Sequence, residues 1–233
     1  MSDYSALLSS VPGILHGFGD KEHLLPAHLQ AYEATRPEKK QVHGTRIVNV
    51  IQPGQNCGEA DGFITSTPGI LLAVFTADCL PVIFCHKDGK EVAAIHAGWR
   101  GLIDGILEKM AERINHSGDT ANWFASIGPA AGNCCYEVSQ ELVDDFLQRL
   151  GLPPSLISPR HRHLDLAAIA RAKLHALGFA GVDQAGSCTI CTEAPAGNGF
   201  KYTSFRRNSH QRAKDPTHQG IRGRNQQSGI IIL

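Results

Sequence analysis

Pro81-Val82-Ile83-Phe84-Cys85-His86-Lys87, then Asp88-Gly89, then Lys90-Glu91-Val92-Ala93-Ala94-Ile95 is the strongest hairpin signal in the chain. Two runs rich in β-branched and apolar residues flank the dipeptide that most favours a two-residue loop. With Lys87 facing Lys90, the register carries Pro81 opposite His96 and leaves Cys79 diagonal to His96. Continued extension through Leu80 puts residues 79 and 81 on one strand face. The thiol and the imidazole then point the same way across roughly 7–8 Å of backbone, a gap that long side chains close. That geometry suits a shared ion or a Cys–His pair.

Outward from the hairpin, Arg46 to Ile51 and Gly62 to Ser66 read as short strands and Ile70 to Ala77 as a buried one. Downstream, apolar residues at Leu102, Ile103, Ile106, Leu107, Met110 and Ile114 follow helical spacing. A second helix starts at the N-cap candidate Ser139 and runs through Leu150. A third spans Asp165 to Leu177, with Gly178 where a left-handed C-cap is wanted. Strands are expected again at Trp123 to Ile127, Ser187 to Thr192, Phe200 to Phe205 and Gly229 to Leu233. Clustered strands with helices between them predict an α/β (α+β) fold with mixed sheets covered by helices. With no repeat, low-complexity tract or Pro/Gly/Ser linker, one domain over 1–233 is the simplest organisation.

Composition narrows the function classes. The chain has 233 residues, is 42% hydrophobic, and balances 22 Lys plus Arg against 22 Asp plus Glu. It can bury a core without staples, and it has no whole-chain field with which to hold nucleic acid or an anionic membrane. The longest apolar run, Ile70 to Ala77, is far short of the roughly 18 residues of a spanning helix. Met1-Ser2-Asp3 lacks the basic start of a signal peptide. Seven cysteines, with Cys134 and Cys135 adjacent, do not form a disulfide framework, and the expected compartment is the reducing cytoplasm. Twelve histidines against two methionines lean toward imidazole chemistry.

His96 stands in His96-Ala97-Gly98-Trp99-Arg100-Gly101, between a strand and a helix. The glycines allow a sharp turn and close backbone approach, and the helix start offers free N–H groups to an anion. The plain alternative is a core histidine beside turn-forming glycines. His43, in Gln41-Val42-His43-Gly44, reads on its own as a solvent-facing loop residue. Strand alternation points Asp78 away from Cys79, which favours a structural role over a proton shuttle. Cys188-x-x-Cys191 has redox or half-zinc spacing. Inside an expected strand and without a second pair, it reads as buried thiols.

Seven ordered segments together carry a resemblance: Gln41-Val42-His43-Gly44, Ala60-Asp61-Gly62, Thr76 to Val82, His96 to Gly101, Ile127-Gly128-Pro129, Cys135-Tyr136-Glu137-Val138 and Ser204-Phe205-Arg206-Arg207. In that order they resemble the bacterial laccase-domain family, the multicopper polyphenol oxidases also regarded as purine nucleoside phosphorylases with adenosine deaminase activity. The resemblance covers roughly residues 41 to 233, and residues 1–40 depart from the family pattern. It implies one domain with two mixed β-sheets between helical layers, related to Cys–His hydrolases. It also implies a metal-binding and catalytic triad of His43, Cys79 and His96, whose donors should lie within about 4 Å of one another around zinc.

Two imidazoles and a thiolate give a three-ligand zinc site with an open fourth position, the arrangement of a catalytic ion. The implied activities are phosphorolysis of purine nucleosides, including methylthioadenosine, and deamination of adenosine, with nucleoside and phosphate as partners. Phosphate calls for arginine. Arg206 and Arg207 end an expected strand, so alternation turns only one of them to the site. Copper is a possible occupant, since it outcompetes zinc at such ligands. A four-copper laccase is disfavoured, because the chain has one His-x-His, His161 with His163, and Cys79 is followed by Leu80. The alternatives are a copper-dependent polyphenol oxidase, a hydrolase with Cys79 as nucleophile and His96 as base acting on an amide or peptidoglycan precursor, and a non-catalytic partner-binding protein.

Overall fold

A computed structural model describes residues 3–233, so Met1 and Ser2 of the leader argument lie outside the described residues. Eleven strands are present among them: β1 Ile14–Phe18, β2 Glu38–Lys40, β3 Ile47–Asn49, β4 Asn56–Glu59, β5 Gly62–Thr65, β6 Leu72–Thr76, β7 Leu80–His86, β8 Val92–Ala97, β9 Trp123–Ile127, β10 Gly181–Gln184 and β11 Gln226–Ile232. The α-helices are α1 Ala6–Ser9, α2 Trp99–Asp104, α3 Ile106–Asn115, α4 Gln140–Leu150, α5 Pro154–Ile157, α6 Leu166–Ala176 and α7 Phe205–Lys214. A 3-10 segment covers Ala27–Thr35.

The hairpin β7–β8 lies at the centre of a six-stranded mixed sheet ordered β10-β9-β7-β8-β5-β3. Its register pairs Pro81 with His96 and Cys85 with Val92, as the Asp88-Gly89 reading requires. The turn is wider than two residues. Gly89, at φ 74°, donates its amide to His86 O, and Asp88 Oδ1 accepts the Lys90 amide at 2.8 Å.

A second sheet, ordered β1-β11-β6, is antiparallel throughout, and β2 and β4 form a small parallel pair. Alternation along β7 and β8 sorts the core into layers. Val82, Phe84, Ala93 and Ile95 face α2–α6, while Ile83, Cys85, Val92 and Ala94 face Leu72, Val74, Ile230 and Ile232 of the second sheet. The outer side of that sheet, through Leu71, Ala73 and Ile231, is covered by Leu25 and Leu29 next to and within the 3-10 segment. The fold is thus a mixed α/β single domain of stacked sheets between helical layers.

Capping decides several boundaries. Ser139 accepts the Leu142 amide and Asp165 the Ala168 amide, which start α4 and α6 where the sequence places them. The single helix expected through Leu102–Ile114 is two, because Gly105 at φ 98° breaks it. Neither Ser187–Thr192 nor Phe200–Phe205 is a strand. The first closes on itself, with the Thr192 amide donating to Cys188 O. The second ends at Ser204, whose hydroxyl accepts the Arg207 amide and caps α7.

Candidate active site

Three elements deliver the triad. His96 is the fifth residue of β8, and Cys79 immediately precedes β7. His43 sits in the turn before β3, a position that strand pairing alone does not fix. Asp61 fixes it. Its fully buried carboxylate accepts the amides of Val42, His43 and Gly44, each at 3.0 Å, and holds His43 in the left-handed region at φ 61°. Gln41 adds a second anchor through paired hydrogen bonds with the backbone of Phe75.

Asp61 also lies 2.7 Å from His96 Nδ1. A carboxylate only accepts, so Nδ1 carries a proton and Nε2 is the nitrogen turned to the site, able to ligate once its own proton is displaced. The donor atoms of His43, Cys79 and His96 all lie within 4.8 Å of one another, so the three residues converge on one point. Glycine is required beside them, because a Cβ on Gly98 would come within 2.9 Å of His43 Cδ2 and 3.2 Å of Cys79 Sγ.

The electrostatics follow from this packing. Burial pushes the Cys79 thiol up, but hydrogen bonds from His43 and His96 outweigh it and bring the thiol down to about 7. Burial pushes His96 down, yet Asp61 and Cys79 outweigh it and raise the imidazole to about 9. Asp61 is held below the usual carboxylate range, its burial outweighed by the His96 and backbone hydrogen bonds. Two imidazoles and a thiolate prone to ionise form a ligand set for a divalent transition ion, with one side open.

That side faces a cavity of about 750 Å³. Trp99, Tyr136, Phe75 and the 63%-exposed Phe205 supply aromatic wall and rim, and Lys39, Arg100 and Arg206 supply charge. Lys39 places its ammonium 4.7 Å over the Phe75 ring and 5.3 Å over Phe63. Burial and the nearby Arg36 lower it to about 8.

Asp78 adopts φ 100° and turns its carboxylate away from Cys79. It accepts from Thr189 Oγ1 at 2.6 Å, Ser204 Oγ at 3.0 Å and the Arg206 amide at 2.7 Å, which pins α7 to the site. Arg206 and Arg207 lie on this helix, not on a strand. Arg206 lines the cavity, donating to Glu137 O with its guanidinium 5.1 Å from the Tyr136 ring centre. Arg207 points elsewhere, donating to the carbonyls of Thr189, Ile190 and Tyr202 and stacking on Phe200. Sequence reasoning did not assign a role to Asp61, Lys39 or Phe205. The signal for Asp61 was a carboxylate at the buried start of a strand, which must find partners.

A sequence profile of the family described as multi-copper polyphenol oxidoreductase laccase matches residues 21–213. A Xylella fastidiosa protein named purine nucleoside phosphorylase is 37% identical over an alignment of 161 positions that covers 65% of this chain and 61% of that protein. The shared region thus spans about three-fifths of that relative. A Haemophilus influenzae protein of the same name is 35% identical over 175 residues, covering 72% of this chain and 68% of its own. Among solved structures, YlmD from Geobacillus stearothermophilus superposes with a TM-score of 0.76 at 25% identity, covering 98% of this chain and 94% of its own. A Neisseria meningitidis protein shares the fold with a TM-score of 0.78 at 23% identity, covering 100% and 98%. The chain belongs to the multi-copper polyphenol oxidoreductase laccase family, on a match that takes in all three triad residues and every strand from β2 to β10.

Proposed function

We propose that this chain is a purine nucleoside phosphorylase that also accepts methylthioadenosine and deaminates adenosine. Its chemistry would be centred on His43, Cys79 and His96 within one domain over residues 1–233. The single observation that carries the reading is the convergence of a His2Cys donor set on the floor of a cavity with both aromatic and cationic walls. The relatives named purine nucleoside phosphorylase support it.

The triad suits zinc, with copper as the alternative occupant, and the bound ion would supply Lewis acidity at an open coordination position. The protein's own groups do the rest. Asp61 holds His96 in one tautomer and His43 in one backbone conformation. Trp99, Tyr136 and Phe205 offer faces on which a purine can stack. Arg206 and Lys39 place positive charge where phosphate would approach ribose C1′. Phosphorolysis then forms the C1′–O bond as the C1′–N9 bond breaks, giving purine and ribose 1-phosphate. Deamination consumes water and releases ammonia, with no need for phosphate. All seven cysteines are unpaired, which suits a reducing cytoplasm, and no helix among the described residues is long and apolar enough to cross a membrane.

A second reading rests on one specific observation. Asp61, His96 and Cys79 line up as orienter, base and nucleophile, the layout of a cysteine hydrolase. The convergence of His43 on the same thiol favours the metal reading. Metal analysis of purified protein, paired with product analysis on adenosine, inosine and methylthioadenosine with and without phosphate, separates the two. Bound metal with phosphate-dependent release of free purine supports the phosphorylase. A metal-free, rapidly alkylated Cys79 with no nucleoside turnover supports the hydrolase.

A further inference from the structure

Four of the seven cysteines lie outside the triad and together. The sequence, showing no second pair, read Cys188-x-x-Cys191 as buried thiols, but Cys188 is half-buried and Cys191 exposed. The fold supplies the second pair from far away in the chain, as the adjacent Cys134 and Cys135. All four sulfurs lie within 4.8 Å of one another, and Cys134 Sγ is 3.7 Å from Cys191 Sγ. Sulfurs placed tetrahedrally about 2.3 Å from zinc are about 3.8 Å apart. The observed spacing is therefore close to a mononuclear tetrathiolate edge and much too long for an S–S bond, at about 2.05 Å. In a 4Fe–4S cluster each thiolate sits on its own iron, and in a 2Fe–2S cluster the two pairs sit on different irons, so four thiolates as a set spread wider.

Local backbone explains how neighbours in sequence face one point. Cys135 and Tyr136 both donate their amides to Gly132 O, so the chain curls there, and successive side chains leave the turn on one side instead of alternating. The Thr192 amide reaches Cys188 O, a helical turn that brings Cys188 and Cys191 to the same side. A Cβ on Gly132 would press at 3.2 Å on both Cys134 Sγ and Cys188 Cβ, so glycine lets the two loops approach closely. Its amide donates to Cys188 Sγ at 3.2 Å, a hydrogen bond that favours a thiolate. Both loops are held in place by other contacts. Arg207 donates to the carbonyls of Thr189 and Ile190, the Thr189 amide donates to Ala130 O, and Arg160 donates to Cys134 O at 2.9 Å.

The geometry points to a second metal centre, in which Cys134, Cys135, Cys188 and Cys191 bind one zinc ion and clamp together two loops beside the active site. Four protein ligands leave no open position, so this ion is structural, unlike one held by the triad. Binding turns four thiols into thiolates and releases their protons to the buffer. The clamp reaches the active site through adjacent residues. Tyr136 follows Cys135 and lines the cavity, and Thr189 follows Cys188 and holds Asp78.

The test is a cobalt(II) titration of reduced, metal-stripped protein. The unaltered chain should bind two equivalents, and a His43→Ala/Cys79→Ala variant should keep one, with the intense thiolate-to-cobalt charge-transfer absorption of a tetrathiolate and quantitative displacement by zinc. A Cys188→Ser/Cys191→Ser variant should lose one equivalent. If that variant does not fold, the triad variant still decides. A folded triad variant that binds no cobalt, or binds it without thiolate charge transfer, overturns the proposal, as does a disulfide among these four cysteines in protein isolated under cytosol-like reducing conditions. If the triad alone fails as a metal site, unmodified protein and triad variant each bind one equivalent, which counts against the proposed activity and leaves this centre standing.

Discussion

At the scale of single residues, Asp61 does the most with one carboxylate. It accepts three consecutive backbone amides and the His96 ring, so it fixes a left-handed turn and an imidazole tautomer at once. Non-glycine residues at positive φ cost of order 1–3 kcal/mol and persist only where surroundings over-determine them. Both His43 and Asp78 are such residues, each beside or within the triad. Asp61→Asn keeps the size but weakens the hold on His96 Nδ1, so zinc affinity at the triad should fall about 10–100-fold, as expected for lost outer-shell support. Chelator competition measures it, and an unchanged affinity would mean that Asp61 serves the fold alone. Arg206 and Arg207 should separate by assay. Arg206→Met should slow phosphorolysis and raise its phosphate requirement, leaving deamination comparatively intact. Arg207→Met removes three carbonyl contacts outside the cavity and should lower the melting temperature instead. Equal loss of both reactions in Arg206→Met would remove it from the phosphate site.

At the scale of elements, the break between α2 and α3 shows how a local defect is repaired by tertiary packing. Gly105 ends α2 and frees its last carbonyls. The Lys173 ammonium of α6, itself only 9% exposed, donates to Leu102 O at 2.5 Å and pairs with Glu108 at 2.9 Å. Lys173→Met should cost about 2 kcal/mol, the range for a lost hydrogen bond to a charged group. Urea denaturation checks it, and a loss below about 0.5 kcal/mol would show that water caps this helix end just as well. The same segment shows where sequence was legible. Apolar spacing from Leu102 to Ile114 announced helix, but Gly105 inside the pattern was not read as a break. The hairpin register and the caps at Ser139 and Asp165 were readable because their determinants are local. Residues 187–192 and 200–205 were misread because β-prone residues were weighed without Ser204, a good N-cap, and without the distant cysteines and Asp78 that shape those loops. His43 entered the site only through resemblance, since a buried aspartate eighteen positions downstream places it.

At the scale of the molecule, the two sheets, the helical layer and the 3-10 cover build a scaffold whose three apolar clusters owe nothing to a metal at the triad. One titrating group ties this scaffold to pH. His16, on β1 and 5% exposed, accepts the Ser5 amide at Nε2, and burial, helped by the nearby His28 and opposed by Asp183, lowers it to about 4. The unfolded chain takes up this proton near pH 6.5 and the native state resists it, so stability is full above about 6.5 and is lost as pH falls toward about 4. The loss is on the order of 3 kcal/mol. Urea midpoints across that window should fall more steeply for the natural chain than for His16→Gln, and parallel profiles would assign the acid sensitivity to other groups. The most direct measurement on the whole molecule compares Cys79→Ala with the unaltered protein, by thermal melting and by ribose 1-phosphate formed from inosine and phosphate. A catalytic centre set on an independently held core predicts a melting temperature within a few degrees and no detectable ribose 1-phosphate from the variant. Undiminished phosphorolysis by a folded Cys79→Ala protein would contradict it.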